Sequence, residues 1–437
     1  MTTDRLSLAL PRPDHLVATT MALPPGSPLD PVALAGEDGV LFASRRLVLA
    51  GRGEAARLEL PGGLDDTEAV ARATAWLASV PVHGALDHPG TGVVAHGALP
   101  FDRAEPATLI VPAVTYGADD QGREWVTVVG PPPPERNARR WRARLAALTA
   151  DTTDRADPGT PTVTPVPAPG DYTSAVTNAV AAIALGQIAK VVLGRSAVLD
   201  FTGAPDISVT ARRLQAAEPG CTVFTHPVPG GVFLGASPEL LVSRRGTAVS
   251  SHPMAGTAGL EGDRADQLLG SAKDRWEHQL VVEEITRTLA DQGVEIELPP
   301  GPSLMRLRSV AHLVTRIEGQ LPAAGPRPSV LELVAALHPT PAVGGVPRDQ
   351  ALEIIAMLET ASRGRWAGPV GWVDGRGDGD WVIGIRSATV TGRRAVLWAG
   401  AGIVADSLPE AELAETTIKL VPVLEALCPG RADLLNR

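Results

Sequence analysis

Hydrophobic positions recur along the chain at two periods, and the two periods separate predicted strands from predicted helices. Apolar runs over 189–201 and 395–399 predict strands. Helical spacing predicts a long helix over 265–292 and another that starts near Ser407 and Pro409. Hairpins that alternate with long helices predict an α/β fold of the α+β type, with mostly antiparallel sheet.

Composition divides the chain into three parts. Residues 1–150 are rich in Ala, Gly and Pro, and we expect a variable N-terminal part packed on the same fold. A hairpin is predicted over 40–60 with its turn at 50–53, and a helix over 66–80. The proline-rich stretch 151–170 predicts a connector on the surface. Residues 171–428 carry the candidate chemistry and form the predicted catalytic domain.

Charge and cysteine content exclude several classes of protein. The formal net charge of −10 disfavours a nucleic-acid surface, and no apolar run is long enough to span a membrane. Cys221 and Cys428 fit neither a disulfide framework nor a zinc site. The start of the chain does not resemble a secretion signal. We therefore expect a cytoplasmic globular protein. A monomer is a separate expectation that these features do not establish.

Two predicted helices carry acidic pairs at a spacing of three residues. Glu412 and Glu415 share a helix face with Lys419, and Asp274 and Glu277 share a face of the other helix. Glu415 with Lys419 could be an ordinary surface ion pair. Four carboxylates from two helices would also suit Mg²⁺, which prefers oxygen ligands in octahedral geometry.

The glycines that precede the last helix match a nucleotide-binding pattern only superficially. Gly400 and Gly402 fit the spacing G-x-G-x-x-A of the dinucleotide fingerprint. That fold requires a second strand that ends in an acidic residue about 20 positions further on. A helical pattern continues here instead, which disfavours a dehydrogenase.

Seven motifs occur in one order along the chain: KVVLGR at 190–195, LGASPEL at 234–240, PMAGT at 253–257, KDRWEH at 273–278, HPTPAVG at 338–344, GIR at 384–386 and GAGIV at 400–404. Together they resemble the chorismate-utilising enzymes, which include isochorismate, salicylate, anthranilate and aminodeoxychorismate synthases. The resemblance covers about residues 171–428. It implies large antiparallel sheets with outer helices, in a two-halved sandwich of the anthranilate and aminodeoxychorismate synthase kind, with the site between the halves.

Isochorismate synthases are the subgroup that this chain resembles most. Their reaction adds water at ring carbon 2 of chorismate and expels the hydroxyl at carbon 4. The resemblance implies that Lys190 is the base and Glu239 the acid. Burial at the start of an apolar strand would favour the neutral amine that a base requires. His338 matches a histidine near the ring and the leaving hydroxyl, although it could equally cap a turn.

The resemblance also implies a set of residues that bind the substrate or shape its pocket. These are Gly256, Thr257, Arg386, Gly400, Gly402, Lys419, Trp366 and Trp398. Glu277 and Glu415 match direct ligands of Mg²⁺, whereas Asp274 and Glu412 match residues that act mainly through water. Trp366 and Trp398 could instead be ordinary core residues.

Several alternatives within and outside the family stay open at this point. A salicylate synthase would share Lys190 and Glu239 but would go on to eliminate pyruvate. Lys190 argues against an ammonia-using anthranilate-type enzyme, and Ala255 argues against a covalent intermediate on a lysine at that position. A non-catalytic chorismate-binding protein is disfavoured because Lys190 and Glu239 are both present. An isochorismate product would serve either siderophore or menaquinone biosynthesis.

Overall fold

A computed structural model describes residues 15–84, 86–131, 136–150, 157–260, 264–308 and 310–436. Its strands are β1 Val17–Ala22, β2 Val40–Ala43, β3 Leu47–Arg52, β4 Ala56–Leu60, β5 Val82–His83, β6 Val94–Ala98, β7 Ala107–Val111, β8 Val114–Asp119, β9 Glu124–Gly130, β10 Thr162–Val166, β11 Lys190–Asp200, β12 Thr222–Val228, β13 Gly231–Ser237, β14 Leu240–Arg245, β15 Ala248–His252, β16 Met254–Gly259, β17 Glu295–Glu297, β18 Ser303–Arg306, β19 Val310–Val314, β20 Ile317–Gln320, β21 Gly345–Val346, β22 Pro369–Asp374, β23 Gly379–Ile383, β24 Ser387–Thr391 and β25 Arg394–Ile403. Its helices are α1 Pro31–Ala35, α2 Thr67–Ser79, α3 Ala138–Ala150, α4 Pro169–Ala184, α5 Ile207–Ala217, α6 Arg264–Gln267, α7 Ala272–Asp291, α8 Val330–Leu337, α9 Arg348–Leu358 and α10 Pro409–Leu427.

Three sheets organise the strands. The largest has the order β10-β11-β25-β24-β13-β12-β2-β3-β8-β9-β1-β5, with β21 paired to β11. The second has the order β17-β20-β15-β14-β23-β22-β6-β7-β4, and the third is β16-β19-β18. Pairing is antiparallel except between β1 and β5. The prediction of large antiparallel sheets with outer helices is confirmed.

The two large sheets pack face to face, and helices cover their outer faces. Aromatic residues such as Phe224 of β12 and Trp372 of β22 fill one buried cluster between the sheets. A second cluster joins the larger sheet to α1, α5 and α10. A third joins the second sheet to α2 and α8. Burial of apolar surface on both faces of each sheet holds these layers together.

Most predicted elements form, and the tertiary structure alters their limits. Helix α2 begins after the cap Asp66, whose side chain accepts a hydrogen bond from Ala69 N. Strand β25 extends to Ile403, so Gly400 and Gly402 lie in the strand and not in a turn after it. The predicted turn at 50–53 is wrong, because β2 and β3 pair across residues 44–46.

The N-terminal part is built into the sheets of the rest of the chain. Strand β2 pairs with β12, and β6 pairs with β22, so each large sheet contains strands from both parts. The predicted connector is also partly structured: β10 pairs with β11, and α4 begins at Pro169. Residues 151–156 of that connector lie outside the described residues. Long-range strand pairing, which local composition does not reveal, explains both differences.

Two further sequence expectations bear on the class of protein. Across the described residues, the helices are too short or too polar to cross a membrane. Cys221 and Cys428 are both buried free thiols, as expected from the lack of a pairing pattern.

Two buried histidines lie between the large sheets. His96 belongs to β6 and His226 to β12, and His226 Nε2 lies 3.5 Å from the carbonyl oxygen of His96. Within the described residues, the Nε2 atom of His96 has no hydrogen-bond partner. Burial lowers the pKa of His96 to about 3 and that of His226 to about 4. Both rings are therefore neutral in the folded protein near neutral pH.

These histidines should make the fold sensitive to acid. A histidine titrates near pH 6.5 when unfolded, so below that pH the unfolded chain binds protons that the buried rings do not. Stability should therefore fall with decreasing pH, by about 1.4 kcal/mol per pH unit for each buried histidine until its folded pKa is reached. Urea unfolding midpoints across this range would measure the slope.

His96→Asn should reduce that slope, whereas substitution of the exposed His83 should not. Equal slopes in the wild type and His96→Asn would contradict the assignment of acid sensitivity to His96.

Candidate active site

The floor of the site is the antiparallel pair β11 and β25. Val192 lies opposite Gly402, and Gly194 lies opposite Gly400. Helix α10 follows β25 directly and brings Glu412, Glu415 and Lys419 back to the same end of the strands. The acidic pair of α7 lies near them: Lys273 of α7 pairs with Glu412, and the charge of Glu415 contributes to the raised pKa of Asp274.

A cavity of about 70 Å³ lies above this floor. The predicted site residues that line it are Glu239, Gly256, Thr257, Glu277, Trp366, Arg386, Trp398, Gly400, Gly402, Glu415 and Lys419. Ala255 also lines it. Pockets that enclose small molecules commonly measure about 300–1,000 Å³, so this cavity is smaller than most of them. The structure thus brings together motifs that are far apart in the sequence.

Lys190 lies beneath the cavity in an ion pair. It is 1% exposed, and its Nζ lies 2.9 Å from Glu277 Oε1. Gly402 permits this contact, since a Cβ there would lie 2.2 Å from Glu277 Oε1 and 3.1 Å from Lys190 Cε. The absence of a side chain at Gly402 is therefore required for the close approach of α7 to the floor.

Glu239 is placed at the cavity by the short connection between β13, which ends at Ser237, and β14, which begins at Leu240. The carboxyl group is fully buried and accepts a hydrogen bond from the backbone N–H of Met254. Burial raises its pKa to about 7, and the nearby Lys190 ammonium only partly opposes that effect. A carboxyl group with this pKa can donate a proton near neutral pH.

Arg386 also lines the cavity and contributes a positive charge to it. It lies between two strands, because β23 ends at Ile383 and β24 begins at Ser387, and Arg386 adopts φ +51° between them. Left-handed backbone in a residue other than glycine is strained and is found mainly at functional sites. This conformation places the guanidinium 3.1 Å from His312 Nε2.

His312 connects this arginine to the neighbouring strand. An arginine only donates hydrogen bonds, so Nε2 of His312 accepts and Nδ1 carries the proton. Nδ1 lies 3.1 Å from Thr257 Oγ1 and 3.3 Å from the carbonyl oxygen of Gly256. Burial, with Arg386 and Lys419 nearby, holds the pKa of His312 well below its usual value. The ring therefore stays neutral and fixes the orientation of Arg386 and Thr257.

Each of three carboxylates is paired with a lysine. Glu277 pairs with Lys190, Glu412 with Lys273 at 3.4 Å, and Glu415 with Lys419. Lys419 Nζ also donates to the carbonyl oxygen of Gly400 at 2.9 Å. These pairs partly neutralise the acidic groups that converge between α7 and α10.

The carboxylates suit a hard cation by chemistry, although their present positions do not form a ligand cage. Burial raises the pKa of Asp274 and that of Glu412, and neighbouring carboxylates raise both further. Such mutual repulsion would be relieved by a cation between the helices. Among the described residues, no three acidic, histidine or cysteine side chains converge closely enough to hold a metal ion.

Trp366 and Trp398 line another side of the cavity and form what we call the indole wall. Their ring centroids lie 5.4 Å apart at an interplanar angle of 16°, which is a stacked arrangement. Gly194 and Gly400 make room for the stack, because a Cβ at either position would lie under 3 Å from the Trp366 ring. The two tryptophans are thus pocket residues as well as core residues.

The structure does not bring His338 to the cavity. Its ring is fully buried, and Nε2 lies 2.9 Å from the carbonyl oxygen of Phe101. Burial lowers the pKa of His338 to about 3. The histidine that touches cavity residues is His312, so the expectation that His338 lies near the ring and leaving hydroxyl is corrected.

Two residues at the site, His312 and Lys273, were not predicted from the sequence, although a sequence feature marks each of them. His312 interrupts an otherwise apolar strand, which is unusual for a polar residue without a partner. Lys273 is one of only three lysines among 39 basic residues, and the other two are Lys190 and Lys419. All three lysines of the chain therefore lie at this site.

Comparison with known proteins agrees with this geometry. MenF of Mycobacterium tuberculosis strain H37Rv is 40% identical over 357 residues, which cover 77% of this chain and 87% of the relative. Isochorismate synthase DhbC of Bacillus subtilis is 38% identical over 346 residues, which cover 76% of this chain and 80% of the relative. A solved structure of DhbC from Bacillus anthracis has a TM-score of 0.74 and 32% identity, covering 90% of this chain and 97% of that chain.

A family model also covers nearly the whole chain, including the N-terminal part that the motifs left out. The model described as chorismate binding enzyme matches residues 15–428. Together with the cavity and the motifs that line it, this match shows that the chain belongs to the family of chorismate-binding enzymes.

Proposed function

We propose that this protein is an isochorismate synthase that converts chorismate to isochorismate. The observation that carries the proposal is a buried acid and a buried lysine beside one cavity: Glu239, with a pKa of about 7, and Lys190 beneath the floor. The names of two relatives, isochorismate synthase DhbC and isochorismate synthase EntC of Escherichia coli K12, support the same activity.

Each group has a role in the proposed reaction. Lys190 takes a proton from the water that attacks ring carbon 2, and Glu239 gives a proton to the hydroxyl that leaves carbon 4. The Lys190 amine is occupied by the ion pair with Glu277 in the free protein, so it can contact the attacking water only when that pair is separated. Arg386, held by His312, binds one substrate carboxylate through its planar fork.

Magnesium belongs to the same proposal. Glu277 and Glu415 would bind Mg²⁺ directly, and Asp274 and Glu412 would act mainly through water. The bound ion would supply positive charge for a substrate carboxylate. The ion would compete with the ammonium groups of Lys190 and Lys419 for these carboxylates.

The proposed activity can be tested by product identification. Incubation with chorismate and Mg²⁺ should yield isochorismate as the main product on chromatography, in a mixture with chorismate. Lys190→Ala should still bind chorismate but turn it over about 100-fold or more slowly, since the base is lost. Normal turnover by this variant would show that the base lies elsewhere, and salicylate or anthranilate as the main product would refute the proposal.

The pKa of Glu239 predicts the alkaline limb of the pH profile. A general acid acts in its protonated form, so kcat/KM should fall about tenfold per pH unit above about pH 7. Glu239→Gln cannot donate a proton and should lose activity about 100-fold or more at every pH. A wild-type profile that stays flat from about pH 6 to about pH 9 would contradict the assignment.

Removal of the metal should abolish turnover. Excess EDTA should stop the reaction, and added Mg²⁺ should restore it, because the converging carboxylates repel each other without a cation. Titration calorimetry should detect Mg²⁺ binding to the wild type and weaker binding to Glu415→Ala. The loss of Mg²⁺ affinity should be smaller in Asp274→Ala than in Glu415→Ala. Full turnover in excess EDTA would refute the metal site.

A further inference from the structure

A buried ion pair between Glu359 and Arg363 lies behind the indole wall. The carboxylate and the guanidinium are 7% and 3% exposed. Arg363 Nε donates to Glu359 Oε2 at 2.8 Å, and Nη2 donates to Oε1 in a second, short bond. A bidentate pair of this kind is geometrically rigid.

The pair also holds the backbone of two cavity segments. Arg363 donates to the carbonyl oxygens of Val192 and Val343, each at 2.7 Å. Glu359 Oε1 accepts from Gly194 N at 2.7 Å. Val192 and Val343 line the cavity, and Gly194 is the floor position against which Trp366 packs. Strand β11 and the segment before β21 are therefore joined through these two side chains.

Arg363 contacts the wall itself through its guanidinium. The Cζ atom lies 4.9 Å from the ring centroid of Trp366 and 4.2 Å from that of Phe101. A cation over an aromatic face attracts the ring, more strongly where water is excluded. Trp366 in turn stacks on Trp398, so the position of the wall is coupled to the ion pair.

The space behind the wall makes that coupling important. A second, more open cavity of about 750 Å³ is lined by Phe101, Glu359, Arg363 and side chains of α9. Close-packed neighbours normally hold core side chains in place. Arg363 contacts both the Trp366 ring and the ring of Phe101, which lines this second cavity, so the ion pair lies between the indole wall and the open space and restrains Trp366 on that side.

We propose that Arg363, together with Glu359, is a positioning residue that determines where the reaction stops, an inference that rests on the proposed isochorismate synthase activity. Isochorismate could react further by breaking the bond between ring carbon 3 and the ether oxygen. The hydrogen at carbon 2 would move to the methylene carbon of the enolpyruvyl group, giving salicylate and pyruvate. That step requires the enolpyruvyl group to bend over the ring. A wall held firmly by Arg363 excludes the bent conformer.

The test compares two products of the same reaction. The ratio of pyruvate to isochorismate does not depend on the fraction of folded enzyme, so a purely structural role of the ion pair would leave it unchanged. The double variant Glu359→Gln/Arg363→Met removes both buried charges together and leaves an amide oxygen for Gly194 N. Arg363→Lys keeps the charge but loses the planar fork, and it provides a second variant if the double variant does not fold.

We expect the ratio to rise about tenfold in the double variant and less in Arg363→Lys, since displacements of about 1 Å at a reacting group change rates by up to about 100-fold. A second measurement is the circular dichroism signal that arises from exciton coupling of the two stacked indoles. The difference between the spectra of the wild type and Trp398→Leu defines this signal, and we expect it to weaken in both variants.

Arg365→Met is the matched control, because this arginine lies in the same loop and donates to the carbonyl oxygen of Ala98. Its ratio and spectrum should equal those of the wild type.

The outcomes separate this inference from the proposed function. If the wild type forms isochorismate and a folded variant at Arg363 keeps the wild-type ratio or lowers it, the positioning role is refuted. An unchanged dichroism signal in the folded variants would refute it as well. If the wild type forms no isochorismate, the proposed function itself fails.

Discussion

Strands β11 and β25 pair over their full length, from Val191 opposite Ile403 to Asp200 opposite Arg394, and the site depends on that register. The pairing places Gly194 and Gly400 side by side beneath Trp366, and it places Gly402 beside Lys190 and Glu277. Side chains alternate between the two faces of a strand, so a shift by one residue would turn these positions away from the cavity.

The buried charged side chains at and behind the site are arranged in ion pairs. An isolated buried charge is very costly, and the removal of one partner from a buried pair costs about 3–5 kcal/mol. Lys190 with Glu277 and Arg363 with Glu359 satisfy this requirement in the free protein. The first pair holds the proposed base beside a carboxylate that is also a proposed metal ligand. The second pair uses its polar atoms in bonds within the protein and supports the indole wall.

The N-terminal part contributes to the site from a distance. Arg103 donates to the carbonyl oxygens of Ala335 and His338, which closes the carboxyl end of α8. The carbonyl oxygen of Phe101 bonds the ring of His338, and the Phe101 ring contacts Arg363. The segment that leads to Val343 at the cavity is therefore supported by residues whose sequence contains no catalytic motif. The N-terminal part, which contains no catalytic motif, therefore helps to position residues of the active site.

The sequence by itself determined the family, the class of fold and most cavity residues. Glycine spacing, acidic pairs at helical intervals and a lysine at the start of an apolar strand are local patterns, and local physics is enough to place them on strands and helices.

Tertiary structure decided the contacts between segments distant in the chain. It placed His312 and not His338 at the cavity, it gave Arg386 a left-handed backbone between two strands, and it paired three carboxylates with the three lysines. It also built strands of residues 15–130 into both large sheets. These outcomes depend on which distant segments pack together, and the free energy of such packing is shared among many residues, so no local pattern records it.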